Sequence, residues 1–371
     1  MRTSVSIEGD VLIKRLRKQA LACEQLGSPL YAFLLRRAAD DVAAEGPVLD
    51  VMRPLADEPP GAAVALKLMG AVHRLVLEGE APGLNDFYPS VGGGAPIHDS
   101  WAPFLDAVRH ERIPKLIQRN VQTNEVGRAG GLIAGFLRIA ERFGLPMRLL
   151  EIGSSGGLNL RWDHFFYRSK DANWGDPASP VRLEEIEVPI DPSIEVEVAS
   201  RCGSDPHPVD AATPEGRLTL SSYVWPDQTW RWAQLAGALD IARRVPVELR
   251  RVNAEPFLAE QLSEPAPGVV TVVMHSVMIQ YLSNPERDSV IGFIETAGAR
   301  ATAEAPLAWL RMEPPWHHFG DPDSPHAAYF PEPPAGDGVS DLALVHLDTW
   351  PGPPTETIAR AGYHGRPVIT P

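Results

Sequence analysis

Apolar residues recur every three to four positions along the first third of the chain, a spacing that predicts amphipathic helices. Ser28 followed by Pro29 is typical of a helix start, because serine caps helices and proline suits the first turn. This helix is predicted to end near Ala44. Residues 1–124 are therefore predicted to form a helical region, which we expect to act as a lid or to bind substrate.

The pattern changes at Pro146, after which short apolar runs alternate with helix-compatible stretches. The runs predicted as strands are residues 147–152, 195–200, 245–252, 269–275 and 307–312. This alternation indicates a mostly parallel sheet covered on both faces, so residues 125–371 are predicted to form a doubly wound α/β domain. The prediction includes an insertion at about 165–195, compatible with a β-hairpin, and a C-terminal antiparallel hairpin over 342–361.

The charge balance affects which partners are expected. The formal net charge of −14 repels phosphate backbones, so nucleic acid is not expected to be a substrate. Two basic runs, residues 14–18 and 109–119, carry apolar residues at helical spacing and are interpreted as solvated helix faces. Small molecules, or alternatively a protein, are therefore the expected partners, with a small molecule preferred as substrate.

Cysteine content and hydropathy bear on where the protein works. The 2 cysteines are too few for a disulfide scaffold or a thiolate metal site, and they suit a reducing compartment. No stretch approaches about 18 continuous apolar residues, and the N-terminus lacks the apolar core of a signal peptide. We therefore expect a cytoplasmic protein that does not enter a membrane.

The most informative motif is the sequence LLEIGSSGGLNL at residues 149–160, in which an apolar strand meets a turn of small residues before a helix. Small residues let a ligand approach the backbone, and a helix start offers free N–H groups. The dinucleotide pattern G-x-G-x-x-G would require glycines at positions occupied by Ser155 and Leu158. A nucleotide-dependent oxidoreductase is therefore a secondary alternative, and a tight turn without any ligand is another.

The same turn resembles that of class I S-adenosylmethionine (SAM) dependent methyltransferases, in which an acidic residue is followed by glycines two, four and six positions on. Glu151, Gly153 and Gly157 match this pattern, and Ser155 departs from it at the middle glycine. The resemblance implies that SAM binds this turn, including Gly156.

Features downstream follow in the order that the resemblance implies. Asp205 is similar to the acidic residue at the end of the second strand, which holds the ribose hydroxyls because a carboxylate accepts hydrogen bonds from a diol. Asn253 and Ala254 stand at the end of the third strand, where the adenine lies. Arg128, near the start of the helix before the first strand, either pairs with the SAM carboxylate or belongs to an ordinary helix start.

The methyl acceptor is expected near the C-terminal ends of the fourth and fifth strands. His275 is the candidate base, Tyr281 the candidate for orienting the acceptor, and Glu313 a third polar residue at this place. A lone histidine there is slightly more typical of a structural residue than of a catalyst. The Pro- and His-rich stretch 314–340 has no HExxH-like helical spacing, so no metal site is predicted.

Several motifs together resemble a bacterial family known only as a domain of unknown function. They are residues 122–128, the Glu151 turn with Trp162-Asp163, residues 203–210 and residues 225–228. That resemblance implies no reaction. The expected function is therefore SAM-dependent methylation of an unidentified small molecule. A SAM- or nucleoside-binding regulator or scaffold without catalysis, or a fold kept only for protein interaction, remains an alternative.

Overall fold

The structure of the protein is a computed structural model that describes residues 7–321, 324–331 and 342–371. The chain divides into two compact units. The first comprises the chain up to Thr123 together with Pro214–Trp232, and the second comprises Asn124–Thr213 together with Ala233–Pro371. The α-helices of the described residues are α1 Ile7–Gln25, α2 Pro29–Ala43, α3 Pro47–Met52, α4 Val64–Leu77, α5 Trp101–Val108, α6 Ile113–Leu116, α7 Arg128–Phe143, α8 Pro214–Ser222, α9 Thr229–Ala242, α10 Ala254–Gln261 and α11 Asn284–Gly298.

Helix α2 of the first unit begins at Pro29, as predicted, but Ser28 does not cap it with its side chain. The cap is supplied by Asp227, whose carboxylate accepts the Leu30 N–H at 3.0 Å and the Ser28 hydroxyl at 2.6 Å. Gln228 donates to the carbonyl of Leu26 at 2.6 Å. The segment 225–228 therefore stabilises a helix start that is distant in sequence.

The described residues of the second unit form one sheet of eleven strands. The strands are β1 Met147–Ile152, β2 Phe166–Ser169, β3 Asn173–Trp174, β4 Arg182–Ile186, β5 Val198–Asp205, β6 Glu248–Arg251, β7 Val270–Ser276, β8 Leu307–Glu313, β9 Ala343–Trp350, β10 Glu356–Ala361 and β11 Val368–Ile369. Their order across the sheet is β3-β2-β4-β11-β10-β9-β8-β7-β1-β5-β6. The predicted α/β class with a large, mostly parallel, mixed sheet is confirmed.

The five strands β6-β5-β1-β7-β8 pair in parallel and form the centre of this arrangement. Four of the predicted runs coincide with β1, β6, β7 and β8, while β5 begins later than predicted and continues to Asp205. Every residue of β8 is buried, as the apolar character of such strands requires when helices cover both faces. Phe257 of α10 and Ile291 of α11 belong to the same apolar cluster as Trp309 of β8.

The insertion contributes strands to the same sheet. Its β2 and β3 form the antiparallel pair that the sequence predicted, and β4 adds a third strand parallel to β2. Strand β4 also pairs with β11, through Ile186 and Val368. The predicted C-terminal hairpin is formed by β9 and β10, and β9 runs antiparallel to β8.

Candidate functional site

The strand order creates a switch point between β1 and β7. From β1 the chain continues to β5 and β6 on one side, and later to β7 and β8 on the other. Because these strands are parallel, their C-terminal ends lie at one edge of the sheet. Ligands of open α/β sheets bind in the crevice outside these ends, at the point where the order reverses.

The glycine turn begins at this point, directly after β1. Gly153, Ser155 and Gly157 all have left-handed backbone conformations, with φ of 68°, 51° and 62°. A side chain at Gly157 would also meet Leu249 Cδ2 at 2.9 Å. Glycine is thus required at two of these positions by the backbone itself, and the serine at the middle position needs support from outside the turn.

Asp205, at the end of β5, provides that support. Its Oδ2 accepts the Ser155 N–H at 3.0 Å, and its Oδ1 accepts the His207 N–H at 2.7 Å. An ionised carboxylate has about four acceptor positions, so each oxygen keeps capacity for a further donor. Asp205 therefore holds the turn while its oxygens retain capacity for further donors.

Glu151 is the buried acid of the turn, with an exposed fraction of 3%. Its Oε2 has no hydrogen-bond partner among the described residues. Burial raises the pKa of Glu151 to about 8, a shift that Asp205 reinforces and that Arg161 and Arg128 oppose. A buried carboxyl without a partner is energetically costly, so it marks a place where a donor or a cation would be stabilised.

The polar segment before α7 contacts the turn from the other side. Asn124 Oδ1 accepts the Leu158 N–H at 2.9 Å, and Asn159 Nδ2 donates to the Glu125 carbonyl at 3.1 Å. Asn159 Oδ1 is a second buried acceptor without a partner in the described part of the chain. Two unpartnered acceptors thus flank the glycines.

Arg128 lies at the start of α7 and binds two backbone carbonyls. Its Nε donates to Tyr363 at 3.0 Å and its Nη1 to Ser276 at 2.9 Å. These bonds tie the helix start to the end of β7. The guanidinium also lowers the pKa of Glu151, which puts its positive charge within range of the turn.

Asn253 and Ala254 mark the start of α10, with Asn253 at the cap position and no side-chain cap bond. The preceding Val252 donates its N–H to the Asp205 carbonyl at 3.2 Å. The end of β6 and the end of β5 are therefore joined next to the Asp205 carboxylate.

His275, Trp309 and Glu313 form a buried chain of hydrogen bonds across β7 and β8. The Trp309 indole N–H donates to His275 Nε2 at 3.0 Å, and His275 Nδ1 lies 2.7 Å from Glu313 Oε1. His275 has an exposed fraction of 0% and Glu313 one of 1%. Both ring nitrogens of His275 are thus engaged within the protein, and the imidazole has no contact with solvent.

Glu313 also stabilises the segment that follows β7. It accepts the Met278 N–H at 2.9 Å and the Ile279 N–H at 3.3 Å. Val277, immediately before, has a φ of 51°, which is rare for a β-branched residue and carries strain. Beyond this turn, Tyr281 has an exposed fraction of 56%.

Met278 packs on the glycine turn. A Cβ added at Gly153 would overlap Met278 Cγ and would lie 3.6 Å from its Sδ. The side chain of Met278 is half-buried, while Gly153 itself is exposed to solvent. The glycine at 153 is therefore required both by its backbone and by this methionine.

The Pro- and His-rich stretch is partly described. Trp316 begins a short 3₁₀ helix, Trp316–His318, and stacks on Phe330 with ring centroids 4.9 Å apart. Residues 322–323 and 332–341 lie outside the described residues. The interpretation of that part of the stretch therefore stays a prediction. Within residues 7–321, 324–331 and 342–371, no group of three or more His, Cys, Asp or Glu side chains could hold a metal ion.

Trp309 and Met278 were not among the residues predicted to lie at the site. Trp309, Arg311 and Glu313 alternate along β8, and alternation is the signal for a shared strand face. The alternation is present in the sequence, but the run was interpreted as a continuous apolar strand, so its polar residues were not assigned to one face. Nothing in the sequence indicates that Met278 lies over Gly153, because the contact joins two strand ends that are distant along the chain.

The structure thus defines an α/β protein with polar groups gathered at the switch point of a mostly parallel sheet. The family model described as "Uncharacterized protein conserved in bacteria (DUF2332)" matches residues 13–369, and the chain belongs to this family. This confirms the resemblance to a bacterial family of unknown function. No curated protein and no solved structure matches the chain. Among the described helices, none has the length and apolar character needed to cross a membrane.

Proposed function

We propose that the protein is a SAM-dependent methyltransferase that acts on a small molecule. The observation that carries this proposal is Glu151, a buried carboxyl with an unpartnered oxygen directly before a left-handed glycine turn. SAM and S-adenosylhomocysteine carry an ammonium group, which would satisfy that carboxyl. The site is thus suited to a ligand with a cationic amine close to the turn.

The remaining polar groups suit the other parts of the same ligand. Asp205 retains acceptor capacity for the ribose hydroxyls, and Asn253 with Ala254 borders it at the end of β6. SAM supplies an activated methyl group when bound, and transfer proceeds by in-line displacement. The protein would contribute binding, alignment and exclusion of water.

The order of the central strands also favours this class. If the five parallel strands β1, β5, β6, β7 and β8 are renumbered 1 to 5 along the chain, their order across the sheet becomes 3-2-1-4-5. This order is found in doubly wound nucleotide-binding sheets. The next strand in the sheet, β9, is antiparallel to β8, whereas fully parallel dinucleotide sheets continue with a parallel sixth strand. This difference favours a SAM-type sheet over an oxidoreductase.

A second candidate is a SAM- or nucleoside-binding protein without catalysis. The enclosure of His275 favours it, because a base must reach the proton that it removes and both ring nitrogens of His275 are occupied by Trp309 and Glu313. Tyr281 is the one of the three candidate catalytic residues that is exposed. Under this alternative, ligand binding is retained and no acceptor is methylated.

Calorimetric titration with SAM, S-adenosylhomocysteine, NAD and NADP tests these proposals. We expect heat of binding with the first two ligands only. Glu151→Gln should weaken binding of both, whereas Glu141→Gln, the same change at an exposed position of α7, should leave it unchanged. Absence of heat with SAM and S-adenosylhomocysteine at millimolar concentration would reject the proposal, and heat with NAD or NADP would favour the oxidoreductase.

A further inference from the structure

We infer that the glycine turn after β1 selects ligand groups that donate hydrogen bonds and rejects phosphate, and that Asp205 determines this specificity. The inference rests on the proposed function in that it places the ligand at this turn. Turns that bind phosphate offer free backbone N–H groups at the start of a helix, whose dipole attracts the negative charge. Here the N–H groups, the helix and the local charge all differ from that arrangement.

The backbone N–H groups of the turn are largely used within the chain. Four of the five N–H groups from residue 154 to residue 158 donate to acceptors of the protein itself. The pairs are Ser154 with the Ser204 carbonyl at 3.0 Å, Ser155 with Asp205 Oδ2 at 3.0 Å, Gly157 with the Ser154 carbonyl at 2.7 Å and Leu158 with Asn124 Oδ1 at 2.9 Å. The N–H of Gly156 is the fifth, and it makes no hydrogen bond within the described part of the chain. A phosphate needs several converging donors, so one free N–H does not form a site for it.

The segment after the turn also lacks a helix that could attract a phosphate. The predicted helix is a 3₁₀ helix of 6 residues, Asn159–His164, and its backbone is non-helical at Arg161. So short and interrupted a helix sums few peptide dipoles. The buried guanidinium of Arg161 donates to the carbonyls of Gly157 and Val245, each at 2.8 Å, so it is engaged inside the chain. The turn therefore has neither of the two features that hold a phosphate.

Asp205 supplies the negative charge that occupies the turn. Its two carboxylate oxygens accept the N–H groups of Ser155 and His207, so an anion of the protein already binds the donors that a phosphate would use. A phosphate brought to this position would lie beside the carboxylate, and like charges placed together are strongly unfavourable. Asp205 is therefore expected to exclude phosphate while it accepts hydroxyl groups.

The buried acceptors that remain open near the turn require donors. Asn159 Oδ1 and Glu151 Oε2 have no hydrogen-bond partner among the described residues, and the two side chains are 2% and 3% exposed. Asn159 Nδ2 donates to the Glu125 carbonyl, which assigns Oδ1 as the open acceptor. Hydroxyl and ammonium groups of a ligand would satisfy both oxygens, whereas phosphate oxygens would not. The ligand class is therefore a nucleoside that bears hydroxyl or amine groups and no phosphate.

Adenosine and AMP are the matched probes for this specificity, because they differ only in the 5′-phosphate. Calorimetry should show that the wild type binds adenosine at least about tenfold more tightly than AMP, since the phosphate meets the Asp205 charge. Asp205→Asn removes that charge and should shift the ratio of the two affinities towards AMP by at least about tenfold. Both probes lose the same ribose contact in this variant, so the ratio isolates the effect on the phosphate.

The control variant is Asp176→Asn, which makes the same change of charge at an exposed position of the same unit. Asp176 accepts the Ala178 N–H at 2.8 Å, the same local bond that Asp205 makes with His207, and neither of its bonds in the described structure reaches the turn. The ratio of the adenosine and AMP affinities should therefore stay at the wild-type value. Circular dichroism checks that both variants are folded.

The outcomes separate this inference from the proposed function. Equal binding of adenosine and AMP by the wild type, or an unchanged ratio in folded Asp205→Asn, would overturn the inference, and binding of S-adenosylhomocysteine would still support the proposed function. Adenosine binding without SAM or S-adenosylhomocysteine binding would support the inference and reject the proposed function. If the folded wild type binds none of the three ligands, both fail. If Asp205→Asn does not fold, the wild-type comparison of adenosine with AMP decides.

Discussion

The indole N–H of Trp309 donates to Nε2 of His275 across 3.0 Å, between the adjacent strands β8 and β7. An indole nitrogen can only donate, so a neutral His275 carries its proton on Nδ1 and donates to Glu313. The histidine therefore has a defined tautomer in a fully buried setting. This arrangement is typical of a residue that fixes the geometry of its buried neighbours.

We therefore expect His275→Ala to lower the free energy of unfolding by at least about 2 kcal/mol, because the change leaves two buried partners unsatisfied. Urea denaturation monitored by circular dichroism measures this. The control is His164→Ala, at an exposed position of the same unit, which should cost little. Loss of turnover on an identified acceptor with unchanged stability would instead show that His275 is a base.

Replacement of Gly153 should be more costly than replacement of another glycine with the same backbone. Gly268 has a φ of 83° with no atom within 4 Å of an added Cβ, whereas Gly153 has a φ of 68° and faces Met278. Gly268→Ala should cost about 1–2 kcal/mol, from the left-handed backbone alone. Gly153→Ala should cost more, and Gly153→Val should abolish ligand binding. Equal losses of unfolding free energy for the two alanine variants would contradict the contact with Met278.

Glu151 should make stability fall with rising pH. Its pKa is raised from 4.5 in an exposed chain to about 8 in the folded protein, because burial disfavours the charged form. Between these two values the unfolded chain releases a proton that the folded chain retains, so the free energy of unfolding falls from about pH 4.5 to about pH 8. Glu151→Gln should flatten this dependence relative to Glu141→Gln, as measured by thermal denaturation across the pH range. An identical pH profile for the two variants would show that Glu151 ionises normally.

The same ionisation should govern binding of a cationic ligand. The charged carboxylate attracts an ammonium group, so the affinity for S-adenosylhomocysteine should rise as the pH increases towards about 8. The rise should be absent in Glu151→Gln. Calorimetry in buffers with different ionisation heats would also detect the release of a proton from Glu151 when the ligand binds. If no proton is released, the ligand amine does not bind at Glu151.

Asp205→Ala should weaken SAM binding at least about tenfold, because each charge-assisted hydrogen bond contributes about 1.5–3 kcal/mol. It should also loosen the turn, since the Ser155 and His207 amides lose their acceptor. Asp205→Asn keeps one acceptor oxygen and should lose less of both properties. If the affinity of Asp205→Ala for SAM is unchanged, Asp205 does not contact the ribose, and Asp210 becomes the candidate for that contact.

The protein should not be retained on heparin or DNA resin at about 150 mM salt. Within the basic run 109–119, Arg112 pairs with Glu78 at 3.0 Å and Arg119 pairs with Glu215 at 3.0 Å. These acidic partners, together with the net charge of −14, leave little positive potential for a phosphate backbone. Tight binding that weakens steeply with salt would contradict this reading of the charges.

The sequence predicted the central strands because buried parallel strands are continuous apolar runs, and β1, β7 and β8 are of this kind. It also located the Glu151 turn, since a strand ending in small residues is a local pattern. The short strands β3 and β11 have two residues each and leave no periodic signal. Their existence follows from pairing with neighbours that are distant along the chain.

The functional part of the site was harder to predict. Asp205 and His275 were singled out as candidates from their positions after and within strands, and their candidate roles stay predictions, but the partners that they contact were not predicted. Asp205 accepts two backbone amides, and His275 is enclosed by Trp309 and Glu313. Such relationships depend on which strands are neighbours and on their register, and residue types along one strand do not contain this information.

The pairing of β4 with β11 has a consequence for synthesis on the ribosome. Ile186 lies opposite Val368, and the Glu187 N–H donates to the Val368 carbonyl at 2.7 Å, so nearly half of the chain separates the two partners. Domains begin to fold while they are being translated, and contacts between distant segments form late. The strands β2, β3 and β4 are therefore made early but cannot be joined to the rest of the sheet until translation has passed Ile369. During that interval the edge of β4 that pairs with β11 in the folded protein has no strand partner.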